Sequence, residues 1–168
     1  MISKNIRDAL NHQVNVEFIS AYTYLSMGSY ASCQGLDGVA HWFHAQAREE
    51  IHHGWKVYEY VHEQGEHVIL EAIAKPESEF ESAMHMFRLA LENEQALTKR
   101  INELVELARA DNDTATEVFL QWFVTEQVEE ENQARHIIDM LNLAGDTGEG
   151  LFLVNKELSQ RAFSPQEE

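Results

Sequence analysis

A chain of 168 residues with 44% hydrophobic content is long enough to bury a core and too apolar to stay disordered. Its formal net charge of -17, from 29 acidic and 12 basic residues, argues against nucleic acid or an anionic membrane as a partner and favours cationic ligands. The single cysteine, Cys33, excludes an internal disulfide and suits a reducing cytoplasm, no apolar run approaches the roughly 18 residues of a membrane span, and the opening MISKNIRDALNHQ lacks the apolar core of a signal peptide.

Only 2 prolines and 8 glycines punctuate the chain, so long helices are expected. The first is predicted from about Lys4 to Ser32, with Ser3 as its cap and Gly35 as its stop. The second runs from about Gly38, after Asp37 as a cap, to Gln64, where Gly65 ends it. The third starts at about Ser78, where SEFE fits a capping box, and continues to Ala110. The fourth begins after DND at about Thr114 and ends near Leu143, before Gly145. A short fifth spans about Gly150 to Ala162.

The first and third links are only a few residues long, so they join antiparallel neighbours. The second link, 65–77, is about 13 residues and contains Pro76. Fully extended it reaches roughly 43 to 47 Å, while a 27-residue helix is about 40 Å long. It can cross the whole bundle and leave helices two and three parallel. The expected fold is all-α: a four-helix bundle over about 4–143, with one long crossover between helices two and three and a short C-terminal fifth helix. Val68, Ile69, Leu70 and Ile73 make the crossover too apolar to stand bare. Leu151, Phe152, Leu153, Val154 and Leu158 do the same for the fifth helix.

Each apolar stripe, followed in steps of seven, carries a carboxylate at its centre. Leu10 and Tyr24 flank Glu17, Phe43 and Val57 flank Glu50, Phe87 and Ile101 flank Glu94, and Phe123 and Ile137 flank Glu130. Four carboxylates should therefore meet at one level inside the bundle. Burying an isolated carboxylate costs several kcal/mol, and four together also repel one another. Protons could offset part of that, at the expense of large pKa shifts, whereas two divalent cations offset it directly. His53 lies three residues after Glu50, on the same face, so the pair is a usable metal chelate. Gln127 and Glu130 repeat that spacing on the fourth helix. Carboxylate oxygen with one imidazole suits iron or manganese, and the lack of thiolates argues against structural zinc. Each residue alone has a plainer reading. A lone mid-helix Glu is ordinarily solvated, Tyr24 at helical spacing is ordinarily core, and His52 points away from His53. The remaining histidines and Cys33 form no readable motif.

With these residues in view, the chain resembles the non-haem ferritins of bacterial type, within the ferritin-like di-iron superfamily. The segments NVEFISAYTYLSM, REEIHHGWKVYEYV, ALENEQALTKRINEL and FLQWFVTEQVEEENQ carry the likeness over nearly the whole length. The superfamily pattern is one Glu from each of two helices and Glu-x-x-His from the other two; here Gln127-x-x-Glu130 replaces the second Glu-x-x-His. The resemblance implies a single ferritin-like domain over 1–168. It also implies iron storage with ferroxidase activity, taking Fe(II) with O2 or H2O2 as oxidant. Glu17, Glu50 and His53 would hold one iron of a di-iron centre. Glu50 would bridge to a second, held by Glu94 and Glu130. Gln127 would hydrogen-bond bound oxygen or water, and Tyr24 would donate electrons. A third iron site would use Glu49, Glu126, Glu129 and Glu130. Family members form 24-subunit cages, in which the fifth helix and the crossover would lie at contacts between copies. Haem is not expected, because Ile51 stands where a haem-binding relative has methionine. Two rival readings are a rubrerythrin-like di-iron peroxidase that stores nothing and a non-catalytic helical interaction module. The first would often bring a Cys-rich domain, and the second leaves the four carboxylates without a purpose.

Overall fold

The computed structural model describes residues 2–145 and 148–161. Five helices follow in order: α1 Lys4–Cys33, α2 Asp37–Glu63, α3 Ala83–Ala110, α4 Thr114–Ala144 and α5 Gly148–Leu158. The all-α bundle with a short fifth helix is as expected. The end assigned to the fifth helix, Ala162, lies outside the described residues.

Two helix starts differ from the expectation. The third helix begins at Ala83 rather than near Ser78, and its cap is Ser82, whose Oγ accepts from the His85 amide at 3.1 Å. SEFE is not helical because Phe80 is drawn into the core, its ring 5.4 Å from that of Tyr30. The second helix is capped at Leu36, whose side chain offers no acceptor, and Asp37 is already in its first turn. The missing acceptor comes from α5, where Asn155 Oδ1 accepts from the Gly38 and Val39 amides at 2.9 and 3.0 Å. Gly38 must be glycine for this docking, since a Cβ there would stand 1.6 Å from the Asn155 carbonyl oxygen.

The crossover runs along α1. The Ile69 amide donates to Asn11 Oδ1 at 3.0 Å, the Glu71 amide to Asn15 Oδ1 at 2.7 Å, and Ser26 Oγ to the Glu77 carbonyl at 2.6 Å. Later crossover residues thus meet positions further along α1, from Asn11 in its first half to Ser26 in its last. That carries the chain the length of the bundle and sets α3 parallel to α2.

The core is in two halves. One holds Tyr24, Phe43, Phe87 and Ile137, and the other holds Leu10, Val57, Ile101 and Phe123. These are the residues seven before and seven after the four central glutamates. Aromatic stacking knits each half: Phe43 and Phe87 lie 4.9 Å apart, and Tyr60 and Phe119 lie 3.8 Å apart. Val154 and Leu158 of α5 join the first half, while Phe152 and Leu153 stay exposed. No described helix is long and apolar enough to cross a membrane.

Candidate metal centre

Between the two apolar halves lies a polar layer. Glu17 from α1, Glu50 and His53 from α2, Glu94 from α3, and Gln127 and Glu130 from α4 are all buried there. Tyr24 closes the layer on the side of the first half, with no exposed surface. The glutamates reach one level because each sits at the same phase of its stripe near the middle of its helix.

The hydrogen bonds tie the four helices together. Gln13 Nε2 donates to Glu17 Oε1 at 2.7 Å. Gln46 Nε2 donates to Glu50 Oε1 at 3.1 Å and to Glu130 Oε2 at 2.8 Å, bridging α2 and α4. Gln127 Nε2 donates to the Glu94 backbone carbonyl at 3.1 Å and to Glu94 Oε2 at 3.2 Å. The Tyr24 hydroxyl donates to Glu94 Oε1 and accepts from Asn93 Nδ2 at 3.0 Å. Two buried carboxylate oxygens, Glu17 Oε2 and Glu50 Oε2, have no hydrogen-bond partner. His53 Nδ1 is 3.6 Å from Glu50 Oε2, too long for a hydrogen bond but close enough for strong attraction. Its ring edge packs on Trp122 and Phe123, at 5.3 and 6.1 Å between centroids.

The electrostatics follow from burial and crowding. Burial pushes the Glu17 carboxyl well above its ordinary range, and Glu50 adds to the push. Burial, then Glu94, raises Glu50 to about 7. Burial, then Glu130, raises Glu94 to about 8. Burial opposes charge on His53, but the attraction of Glu50, Glu17 and Glu130 outweighs it and lifts the imidazolium to about 10. Tyr24 rises well above the ordinary phenol value because burial and Glu94 both disfavour the phenolate.

Ligand atoms of Glu17, Glu50 and His53 lie within 4.8 Å of one another, and so do those of His53, Glu126 and Glu130. The two orphaned oxygens belong to the first group. That donor set, two carboxylates and one imidazole with unshared lone pairs in a dry layer, fits a divalent transition metal. Glu94 stands in the same layer, with its oxygens engaged by Tyr24 and Gln127. Of the residues named for a third site, Glu126 is half-buried beside His53 and Glu130. Glu129 is exposed, and Glu49 is paired with Arg161.

Sequence reasoning missed Gln13 and Gln46. Both lie four residues before a central glutamate, on α1 and α2, and that repeated spacing was a readable signal. It also missed Arg161 and Asn155, whose contacts join residues more than a hundred positions apart.

Fold and layer together define a crossover four-helix bundle of the carboxylate type, with inward-facing donors from all four helices. Residues 7–144 match the ferritin-like domain of the ferritin family. The chain is 43% identical over 166 residues to the bacterial non-heme ferritin of Staphylococcus epidermidis, covering 99% of this chain and 100% of that one. It is 40% identical over 166 residues to that of Staphylococcus aureus, with the same coverage. Among solved structures, an open-pore ferritin from Archaeoglobus fulgidus superposes with a TM-score of 0.95 at 45% identity, covering 96% of this chain and 100% of the other. A humanized archaeal ferritin gives a TM-score of 0.96 at 46% identity, covering 98% and 100%. The chain belongs to the ferritin family.

Proposed function

We propose that the chain is an iron-storage ferritin with ferroxidase activity, oxidising Fe(II) in the polar layer and depositing Fe(III) oxide-hydroxide inside a 24-subunit cage in the cytoplasm. One observation carries the reading: Glu17, Glu50 and His53 converge within 4.8 Å, and an oxygen on each of the two glutamates lacks a hydrogen-bond partner among the described residues. A buried carboxylate oxygen left bare is costly, and a cation at that point removes the cost.

In this reading Fe(II) is the substrate. The acidic surface concentrates it. Glu17, Glu50 and His53 hold one ion, and Glu50 with Glu94 and Glu130 holds the second. Binding displaces the protons that burial keeps on Glu17, Glu50 and Glu94, and removes the proton from the ligating nitrogen of His53. Each Fe(II) gives up one electron. The two electrons and two protons convert O2 to hydrogen peroxide, or hydrogen peroxide to two waters. Gln127 offers an amide donor beside the pair. The Tyr24 hydroxyl, hydrogen-bonded to Glu94, would lie beside the pair and hold that carboxylate in position. The glutamine amides hold the carboxylates in place without charge of their own, so the ligands need little reorganisation as metal arrives or leaves.

The exposed apolar surface supports assembly. Ile19, Tyr22 and Leu25 of α1 are exposed, as are Ile69, Leu70 and Ile73 of the crossover that runs along it. Phe152 and Leu153 form a second exposed apolar surface on α5. The test is anaerobic loading with Fe(II), then O2, following Fe(III) absorbance. Wild type should oxidise iron quickly and keep it soluble, and should elute near 24 subunit masses. Glu50→Ala and His53→Ala, each losing a proposed ligand, should slow oxidation by at least about a hundredfold, since losing even an outer-shell partner typically costs about 10- to 100-fold. Oxidation by both variants at the wild-type rate would show that the chemistry happens elsewhere.

A further inference from the structure

Glu49 sits at the edge of the polar layer but is not among the converging ligand atoms. Its carboxylate is taken by the guanidinium of Arg161, three residues beyond the end of α5. Arg161 Nη2 also donates to Gln46 Oε1 at 2.8 Å. A guanidinium only donates, so this bond turns the amide oxygen of Gln46 toward Arg161 and its NH2 toward Glu50 and Glu130. The arginine is built into its place. Its guanidinium carbon lies 4.4 Å from the centre of the Trp42 ring, and Nη1 donates to the Trp42 carbonyl at 3.4 Å. The Arg161 carbonyl accepts from His41 Nε2 at 2.7 Å. The side chains of Arg161 and Glu49 are only 12% and 20% exposed.

Glu49 also feels the charges of Glu130 and Glu126, whose ligand atoms already meet at His53. A metal ion held by Glu49 together with those two would bring its charge against the guanidinium. The guanidinium already occupies Glu49 Oε2, so an incoming ion would meet both an engaged oxygen and a like charge beside it. We propose that Arg161 is the resident cation of Glu49, and that a metal ion is held at Glu49 only by exchange for it. The inference rests on reading the neighbouring layer as a metal centre. It gives a residue just beyond α5 a definite role. Arg161 keeps Glu49 neutralised and Gln46 oriented while that position holds no metal, and it weakens metal binding there relative to the central pair.

Zn(II), which has no redox chemistry, is the probe, measured by equilibrium dialysis on the assembled metal-free protein. Wild type should bind two ions tightly and a third weakly. Arg161→Gln should tighten the third by about tenfold, the scale of removing one nearby like charge. Arg161→Lys, which keeps the charge, should stay near wild type. Glu49→Gln should abolish the third ion in both the wild-type and Arg161→Gln backgrounds. A readout in the unmodified protein stands beside these. The third equivalent of Zn(II) should change tryptophan emission as the guanidinium leaves Trp42, and Trp42→Phe should remove that change. An Arg161→Gln third-ion affinity equal to or weaker than wild type overturns the inference, as does a third ion that leaves Trp42 emission unmoved. Glu50→Ala separates the two readings: if its two tight ions persist, the central assignment fails whatever Arg161 does.

Discussion

In the metal-free protein, Glu94 should make the fold less stable as pH rises. Burial and the neighbouring Glu130 raise its carboxyl to about 8, against an ordinary 4.5. Between those two values the folded chain holds a proton on Glu94 that the unfolded chain has released. Folding therefore takes up a proton, and stability declines as pH rises through this window. Below about 4.5 there is no penalty; above about 8 it is complete. One proton corresponds to a slope of about 1.4 kcal/mol per pH unit. Glu94→Gln cannot ionise, yet it keeps an oxygen to accept from the Tyr24 hydroxyl. From pH 5.5 to 7.5 the variant should therefore gain about 2 to 3 kcal/mol over wild type. Glu50 shares in this, because Glu94 is the second cause of its own rise to about 7. The gain belongs to the pair rather than to one residue. The assay is guanidinium unfolding of both proteins, with chelator present, at a series of pH values. Parallel stability curves would mean that Glu94 is ionised in the metal-free fold, and the burial argument would be wrong.

Filling the centre should release the protons that the layer retains. With Zn(II) at pH 6.5, about four protons should leave per pair of ions, one each from Glu17, Glu50, Glu94 and His53, read from the dependence of binding heat on buffer ionisation enthalpy, and release of about two or fewer would refute protonated Glu50 and Glu94. Asn155→Ala should cost about 1 kcal/mol in unfolding experiments, because the first amides of α2 lose their side-chain acceptor, and a neutral result would show that water replaces it fully.

The four central glutamates were legible because helix phase and helix length are both local properties. A step of seven from each reached a large apolar residue in either direction, and the two sets became the two halves of the core. His53 followed from its spacing to Glu50. Local rules failed where a distant residue supplied the decisive contact. Ser78 and Ser82 are both sound caps by type, and burial of Phe80 beside Tyr30 chose between them. Asp37 is a good cap by type, yet Asn155 from α5 does the capping and lets Leu36 stand at that position. The resemblance names Glu49 for a third iron site; the structure adds its pairing with Arg161, 112 positions away, which no local pattern announces.

These particulars bear on how a fold can carry so much buried acid and still form before metal arrives. The polar layer is not bare. Glu17, Glu50 and Glu94 are shifted toward their protonated forms, and His53 is held as imidazolium beside Glu50. Neutral amides from Gln13, Gln46 and Gln127 occupy carboxylate oxygens without adding charge. Each of these partners is weaker or more labile than a divalent ion. On the proposed reading the protons would leave into water, the imidazolium would lose one, and the neutral amides would add no charge for the metal to displace. Stability in the metal-free state and affinity for metal are thus set by the same atoms, with opposite sign. A substitution that neutralises the layer, such as Glu94→Gln, should stabilise the metal-free protein and weaken its grip on metal together. An apolar layer would do better on the first count and fail entirely on the second, which is why the interruption of the core is best understood as the purpose of this bundle rather than a defect in it.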